Sequence, residues 1–297
     1  MKKILTILLA GATLFLNAQE RCGTTAITEK MMLENPEYAN ARSKVNQQTE
    51  KWIENHPNHS EKTIITIPVV VHVLYSNNNQ NISDAQILSQ IDVLNEDFRR
   101  TNVDAINTPS IWQSIAADSE IEFCMASTDP NGQPTDGIDR VQTTHGAFGM
   151  NSDVHSTSAG GADDWPNDDY LNIWVCNIEP GLLGYATPPS SWTGDGDGLV
   201  IGYQYFGRIG TVQSPYNKGR TATHEIGHWL NLDHVWGGGW SSCGDDNVSD
   251  TPTQEQENYS CPGYPHNPNS CSTTNPDGDM FMNYMDYTND ACMNLFT

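Results

Sequence analysis

The run His224-Glu225-Ile226-Gly227-His228 constrains this chain more than any other feature. On an α-helix, side chains four apart project from the same face, so both imidazoles reach one cation while Glu225 stands one residue round. A catalytic zinc takes three protein donors and keeps one position open. His234, six residues after His228, supplies the third donor. To bring His234 back to that face the helix must stop within one turn, through a left-handed residue for which glycine is cheapest. Asn231 stands there, and asparagine is among the few other residues that tolerate this conformation. The spacing therefore predicts a zinc site of His224, His228 and His234, with Glu225 as general base. His72 lies in an apolar run and reads as a core or supporting residue.

The rest of the chain excludes several function classes. Lys and Arg total 14 against 37 Asp and Glu, a net charge of -23, so phosphate backbones and anionic membranes are repelled. No nucleic-acid partner is expected. The acidic balance suits an extracellular protein that uses carboxylates to hold calcium. Lys2 and Lys3 precede the apolar run Ile4 to Leu16, which closes on Leu-Asn-Ala-Gln; this is the form of a signal peptide over residues 1–19, cut near Ala18 or Gln19. Cys22 follows Gln19, Glu20 and Arg21, which argues against a lipid anchor. No later run approaches the roughly 18 apolar residues that span a bilayer. The expectation is a protein secreted from a bacterium, monomeric and without stable membrane insertion.

The periodicity predicts an α+β chain. Residues 20–60 are polar and helix-friendly around Glu29 to Glu34 and end in Asn-His-Pro-Asn-His-Ser, which reads as a pro-segment with a cleavable linker. A β-branched run from Thr63 to Tyr75 opens a catalytic unit over 61–297, and Pro68 within it argues for an edge strand or a strand start. Ser83, with Gln86 three residues on, reads as a capping box, followed by Ile87, Ile91, Leu94 and Phe98 on one helical face. Further strands are expected at 121–126 and 171–178, the second central because it is apolar throughout, with weaker candidates at 182–186 and 199–203.

The chain holds seven cysteines. Cys243, Cys261, Cys271 and Cys292 fall in a Gly-, Asn-, Asp- and Pro-rich region and read as two bridges, with three connectivities open. Cys124 and Cys176 either pair or serve as small buried apolar residues. Cys22 stands alone.

Several late motifs now add a resemblance. Asn283-Tyr284-Met285-Asp286-Tyr287 resembles the Met-turn of the metzincins. The segment Cys243-Gly244-Asp245-Asp246, Val248, Asp250-Thr251-Pro252 and Ala291-Cys292-Met293, together with Leu171 to Val175 and Gly184-Tyr185-Ala186, is similar to the pappalysin family in particular, from about residue 60 to the end. The resemblance implies a mixed twisted sheet with a backing helix and a zinc helix, then an irregular disulfide-stapled subdomain. It implies Met285 as an apolar floor beneath the zinc and Tyr287 as a phenol beside the reacting carbonyl. It also pairs Cys243 with Cys271 and Cys261 with Cys292, and places calcium in the late subdomain, where Asp246, Asn247, Asp250 and Thr251 offer oxygen donors. Arg21-Cys22-Gly23-Thr24 resembles a cysteine switch, in which Cys22 ligates zinc in the latent form. Family members run on past Thr297 into a closing helix, so this sequence is expected to stop short of the family's end.

The function expected is that of a zinc-dependent endopeptidase made as a latent zymogen and acting on proteins or peptides. Asp290 is expected to favour basic residues after the cleaved bond. The alternative is a secreted, calcium-dependent binding or adhesion protein with a non-catalytic metal site; intact Glu225 argues against it.

Overall fold

The computed structural model describes residues 21–56, 63–190, 196–237, 243–267, 271, 275 and 277–297. The segment 1–19, read from the sequence as a signal peptide, and most of the stretch read as a linker near residue 60 lie outside the described residues. The described residues open with two helices, α1 (Thr24–Glu34) and α2 (Pro36–Asn55), where the sequence suggested only helix-friendly polarity. Asn35 caps α2, its side chain accepting from the Glu37 and Tyr38 amides, with Pro36 in the first turn where no amide is needed.

Six strands build one mixed sheet: β1 (Ile65–Tyr75), β2 (Ile121–Met125), β3 (Ile138–Gln142), β4 (Leu171–Cys176), β5 (Gly184–Ala186) and β6 (Gly198–Gly202). Their order is β2-β1-β4-β6-β5, with β3 continuing along the β2 edge of β1. All neighbours are parallel except β5, which runs antiparallel to β6. The central, fully buried β4 matches its unbroken apolar run.

Pro68 is not on an edge strand or at a strand start, as the sequence suggested; it sits inside β1, an inner strand of the sheet. The Ile65 amide and the Val69 carbonyl bond toward β2, so Pro68, of opposite parity, faces β4. The β4 ladder starts only at Val69, and the missing amide of Pro68 costs no bond. β3 was not foreseen because Ile-Asp-Arg-Val-Gln is short and only half-buried.

Alternation along the strands divides the core between two faces. Val69, Val71, Val73, Ile173, Val175, Leu199 and Ile201 pack under α3 (Asp84–Phe98) and α4 (Arg220–Trp229), while Leu74, Trp174, Cys176 and Val200 face Phe148, Tyr185 and Ile27 of α1. Each such aliphatic side chain, fully removed from water, contributes about 1.5–3 kcal/mol. The Ser83 hydroxyl caps α3 by accepting from the Gln86 amide. Gln86 does not complete the expected capping box: its amide donates instead to the Tyr203 and Phe206 carbonyls and ties α3 to the β6–α4 connection.

After α4 the described residues are irregular. A satellite core of Trp112, Met280, Phe281, Met282 and Leu295 holds the last segment. Disulfides join Cys243 to Cys271 and Cys261 to Cys292. Cys124 and Cys176 do not pair; the first is exposed and the second is buried in the sheet.

Candidate metal centre

Helix α4 starts after Gly219, in the left-handed region at φ 79°, and ends at Leu230. Asn231 follows at φ 77°. The Asn231 amide donates to the His228 carbonyl and the Leu232 amide to the Gly227 carbonyl, both at 2.9 Å. These two bonds form a Schellman stop, which turns the chain so that His234 returns to the helix face. Asn231 thus occupies the turn that the motif requires, without glycine.

The three imidazoles are buried, and their donor atoms lie with the Cys22 thiol within 4.8 Å of one another. Their outer nitrogens are engaged. His224 Nδ1 bonds the Tyr284 carbonyl at 2.6 Å, His228 Nδ1 the Leu232 carbonyl at 2.7 Å, and His234 Nδ1 lies 3.5 Å from the Thr25 hydroxyl. A carbonyl only accepts, so the first two rings carry their proton on Nδ1 and turn the Nε2 lone pair inward. His224 Nε2 is buried without a hydrogen-bond partner, and His228 Nε2 and His234 Nε2 face each other at 3.1 Å. Burial holds all three rings well toward the neutral form, His228 down to about 4. An orphaned buried nitrogen among neutral imidazoles and one thiol is a donor set that fits zinc.

Met285 packs beneath the helix: a β-carbon added to Gly227 would lie 2.3 Å from Met285 Sδ. Tyr287 stacks edge-on to His234, ring centroids 5.0 Å apart, and its hydroxyl donates to the Cys22 carbonyl at 3.4 Å. Glu225 is buried under β5. Its Oε2 accepts from the Thr24 hydroxyl at 2.8 Å and the Cys22 thiol at 3.3 Å, and burial pushes it up to about 8. The segment 21–24 lies along the outer edge of β5: Cys22 bridges Gly184, the Gly23 amide donates to the Gly184 carbonyl, and the Leu183 amide to the Arg21 carbonyl.

Arg21 enters a cavity beside the metal centre lined by Tyr216, Thr221, Thr288 and Asp290. Its guanidinium donates to the Thr288 carbonyl at 2.8 Å and Asn289 Oδ1 at 3.2 Å, and lies over the Tyr216 ring at 4.4 Å. Asp290 is buried, accepting from the Lys218 and Arg220 amides at 2.7 and 3.3 Å. Of the residues offered for calcium, Asp246 and Thr251 meet, the hydroxyl donating to both carboxylate oxygens. Asn247 instead donates to Asp233, and Asp250 is exposed. His72 is fully buried between Asp139 and Asn172, away from the centre.

Sequence reasoning missed Thr24 on the base, Arg21 and Tyr216 in the side cavity, and a buried network behind the histidines. In that network Asp97, at the end of α3, accepts from Thr223 Oγ1 at 2.7 Å and the Tyr284 hydroxyl at 2.9 Å, and pairs with Arg220 Nε at 2.8 Å. Arg21 and Thr24 adjoin Cys22 and carry a signal by adjacency; Asp97 is 126 residues from Thr223 and carries none.

A mixed sheet backed by α3, a zinc-type helix with a Schellman stop and a methionine turn below it define a metallopeptidase of the metzincin class. The sequence profile of peptidase family M43, described as pregnancy-associated plasma protein-A, matches residues 155–297. The extracellular metalloprotease of Arthroderma otae is 32% identical over 244 residues, covering 78% of this chain and 74% of its own. That of Colletotrichum graminicola is 30% identical over 304 residues, 100% of this chain and 92% of its own. Among solved structures, mature mirolysin of Tannerella forsythia in complex with a cleaved peptide superposes with a TM-score of 0.77 at 55% identity, over 80% of this chain and 88% of that one. A promirolysin mutant from the same organism superposes with a TM-score of 0.80 at 49% identity, over 93% and 90%. The chain belongs to the pappalysin family, peptidase family M43. It is a metalloendopeptidase, whose substrates are peptides or proteins, and the family implies a catalytic zinc. The alternative of a non-catalytic binding protein is thereby set aside.

Proposed function

We propose that this chain is a secreted zymogen whose residues 1–19 direct export, whose residues 20–60 block the cleft, and whose residues 61–297 cleave peptide bonds as a monomer once that segment is removed. The observation that carries the proposal is the buried cluster made by Cys22 with His224, His228 and His234. The three histidines would hold zinc, and Cys22 would take the fourth position while the pro-segment remains. A zinc ion there supplies Lewis acidity and lowers the pKa of a water toward neutrality.

The blockade reaches beyond the metal. Thr24 and Cys22 occupy Glu225 Oε2, and the Cys22 carbonyl takes the Tyr287 hydroxyl. When residues 21–24 leave, Glu225 is free to accept a proton from the attacking water and pass it to the leaving nitrogen. The Tyr287 phenol is free to donate to the carbonyl oxygen as negative charge develops on it. Met285 supports the helix from below. The cavity that holds Arg21, with Asp290 at its wall, supports a preference for a basic residue after the cleaved bond. The paired Asp246 and Thr251, with Asp250 and Asn247 nearby in sequence, would hold a structural calcium. The extracellular naming of the relatives supports export.

Glu225→Ala should keep one zinc per chain and lose about 10²–10⁴ in kcat, the range for a general base. Cys22→Ala should make the uncut precursor more active than the parent precursor. Unchanged cleavage of a protein substrate by Glu225→Ala would refute the role of the base, and equal latency of the Cys22→Ala and parent precursors would refute the switch.

A further inference from the structure

The pro-segment places two arginines, Arg21 buried and Arg42 partly buried, one on each side of the metal centre. Arg21, just before Cys22, fills the Asp290 cavity. Arg42, on α2, lies on the other side, in the groove that reaches from His228 and His234 along Leu232 to Asp233 and Pro188. Arg42 Nη1 donates to the Pro189 carbonyl at 2.7 Å and to Asn231 Oδ1 at 2.6 Å. The Asp233 carboxylate attracts the same guanidinium.

These acceptors all belong to the catalytic unit. Pro189 follows β5, the strand that lines the cleft, and Asn231 and Asp233 follow the carboxyl end of α4, the negative pole of that helix. Taking a guanidinium out of water is costly, and a site that holds one does so by presenting acceptors and negative charge. Asn231 sharpens the point. Glycine would make the left-handed turn more cheaply, yet it has no side-chain oxygen to offer.

A peptide whose basic residue after the cleaved bond enters the Asp290 cavity has its preceding residues running the other way, past His228 and His234 toward Pro189 and Asn231. Resting on the peptidase reading above, we propose that the Pro189 carbonyl, Asn231 Oδ1 and Asp233 form a second pocket, vacated by Arg42 on maturation, that binds a basic side chain on the amino side of the scissile bond. The preferred substrate then carries positive charge on both sides of the cleaved bond, as the pro-segment does around Cys22.

The test uses the full chain after its own processing and fluorogenic peptides that differ only by arginine or its neutral isostere citrulline at each of the four positions before the bond. At one position arginine should be cleaved about tenfold better in kcat/KM, the low end of the value of one charge-assisted hydrogen bond. Asn231→Gly, which keeps the turn, and Asp233→Asn should each lower that ratio to about threefold or less; measuring a ratio within each enzyme cancels general damage. Cleavage of all the peptides with ratios near one, or a ratio unchanged in both variants, would overturn the pocket. No cleavage of any peptide would overturn the peptidase reading itself, and the pocket with it.

Discussion

Asp97 lies far from the cleft in sequence and touches none of the histidines, yet the metal centre hangs from it. It receives the Thr223 hydroxyl from the residue before His224, pairs with Arg220 one turn earlier, and receives the Tyr284 hydroxyl; the Tyr284 carbonyl in turn accepts from His224 Nδ1. Asp97→Ala removes the acceptor for two buried hydroxyls and one of two carboxylate partners of Arg220, Asp104 being the other. A hydrogen bond to a charged group is worth about 1.5–3 kcal/mol, and breaking a buried ion pair costs about 3–5 kcal/mol. These terms share atoms and do not add, and Asp104 limits the loss at Arg220, so the expected destabilisation is about 4 kcal/mol. Equilibrium urea unfolding of the zinc-loaded chain measures it through the shift in midpoint at constant slope. Tyr284→Phe removes one hydroxyl and should cost about 1–2 kcal/mol, with less than that when made on top of Asp97→Ala. Zinc affinity should fall in both single variants, because the carbonyl that orients His224 is no longer anchored. A cost below about 1.5 kcal/mol for Asp97→Ala, or full additivity of the two substitutions, would refute the role given to this network.

Two further outcomes follow from close packing and from burial. Gly227→Ala places a β-carbon against Met285 Sδ; overpacking of this kind costs about 1–3 kcal/mol, and zinc titration should show weaker binding that Met285→Ala partly restores, whereas unchanged affinity would show that the turn yields freely. His155, packed edge-on against Trp174 with ring centroids 4.3 Å apart, is pushed down from 6.5 to about 4 by burial. The fold therefore favours neutral His155: its contribution is full above pH 6.5 and is lost as pH falls through about 4, an amount of about 3 kcal/mol. His155→Phe should reduce the loss of stability between pH 7 and pH 4 by about that much in urea titrations; an identical pH profile would show that the ring is protonated in the folded protein.

The parts of the site that were legible in the sequence are those whose chemistry is local. His224 and His228 are one helical turn apart, His234 and Asn231 follow within six residues, and the turn that joins them is built from backbone bonds between residues 227 and 232. Strand β4 was legible because it is buried on both faces. What escaped depends on contacts between distant segments. The half-buried β3 is a strand because β1 offers it a free edge, and Pro68 is tolerated in a paired strand because of where the β4 ladder starts, a fact of register and not of composition. The amide of Gln86 looked like a capping group and serves as a tie to residues 117 and 120 positions away. Asp97 and Tyr216 belong to the site by folding alone.

The two disulfides interleave: Cys261 lies inside the loop closed by Cys243 and Cys271, and Cys271 inside that closed by Cys261 and Cys292. A single cut anywhere between Cys243 and Cys292 therefore leaves its two fragments joined by at least one bridge. A nick in this loop-rich region, self-inflicted or not, would therefore leave Met285 and Tyr287 covalently tied to the histidines.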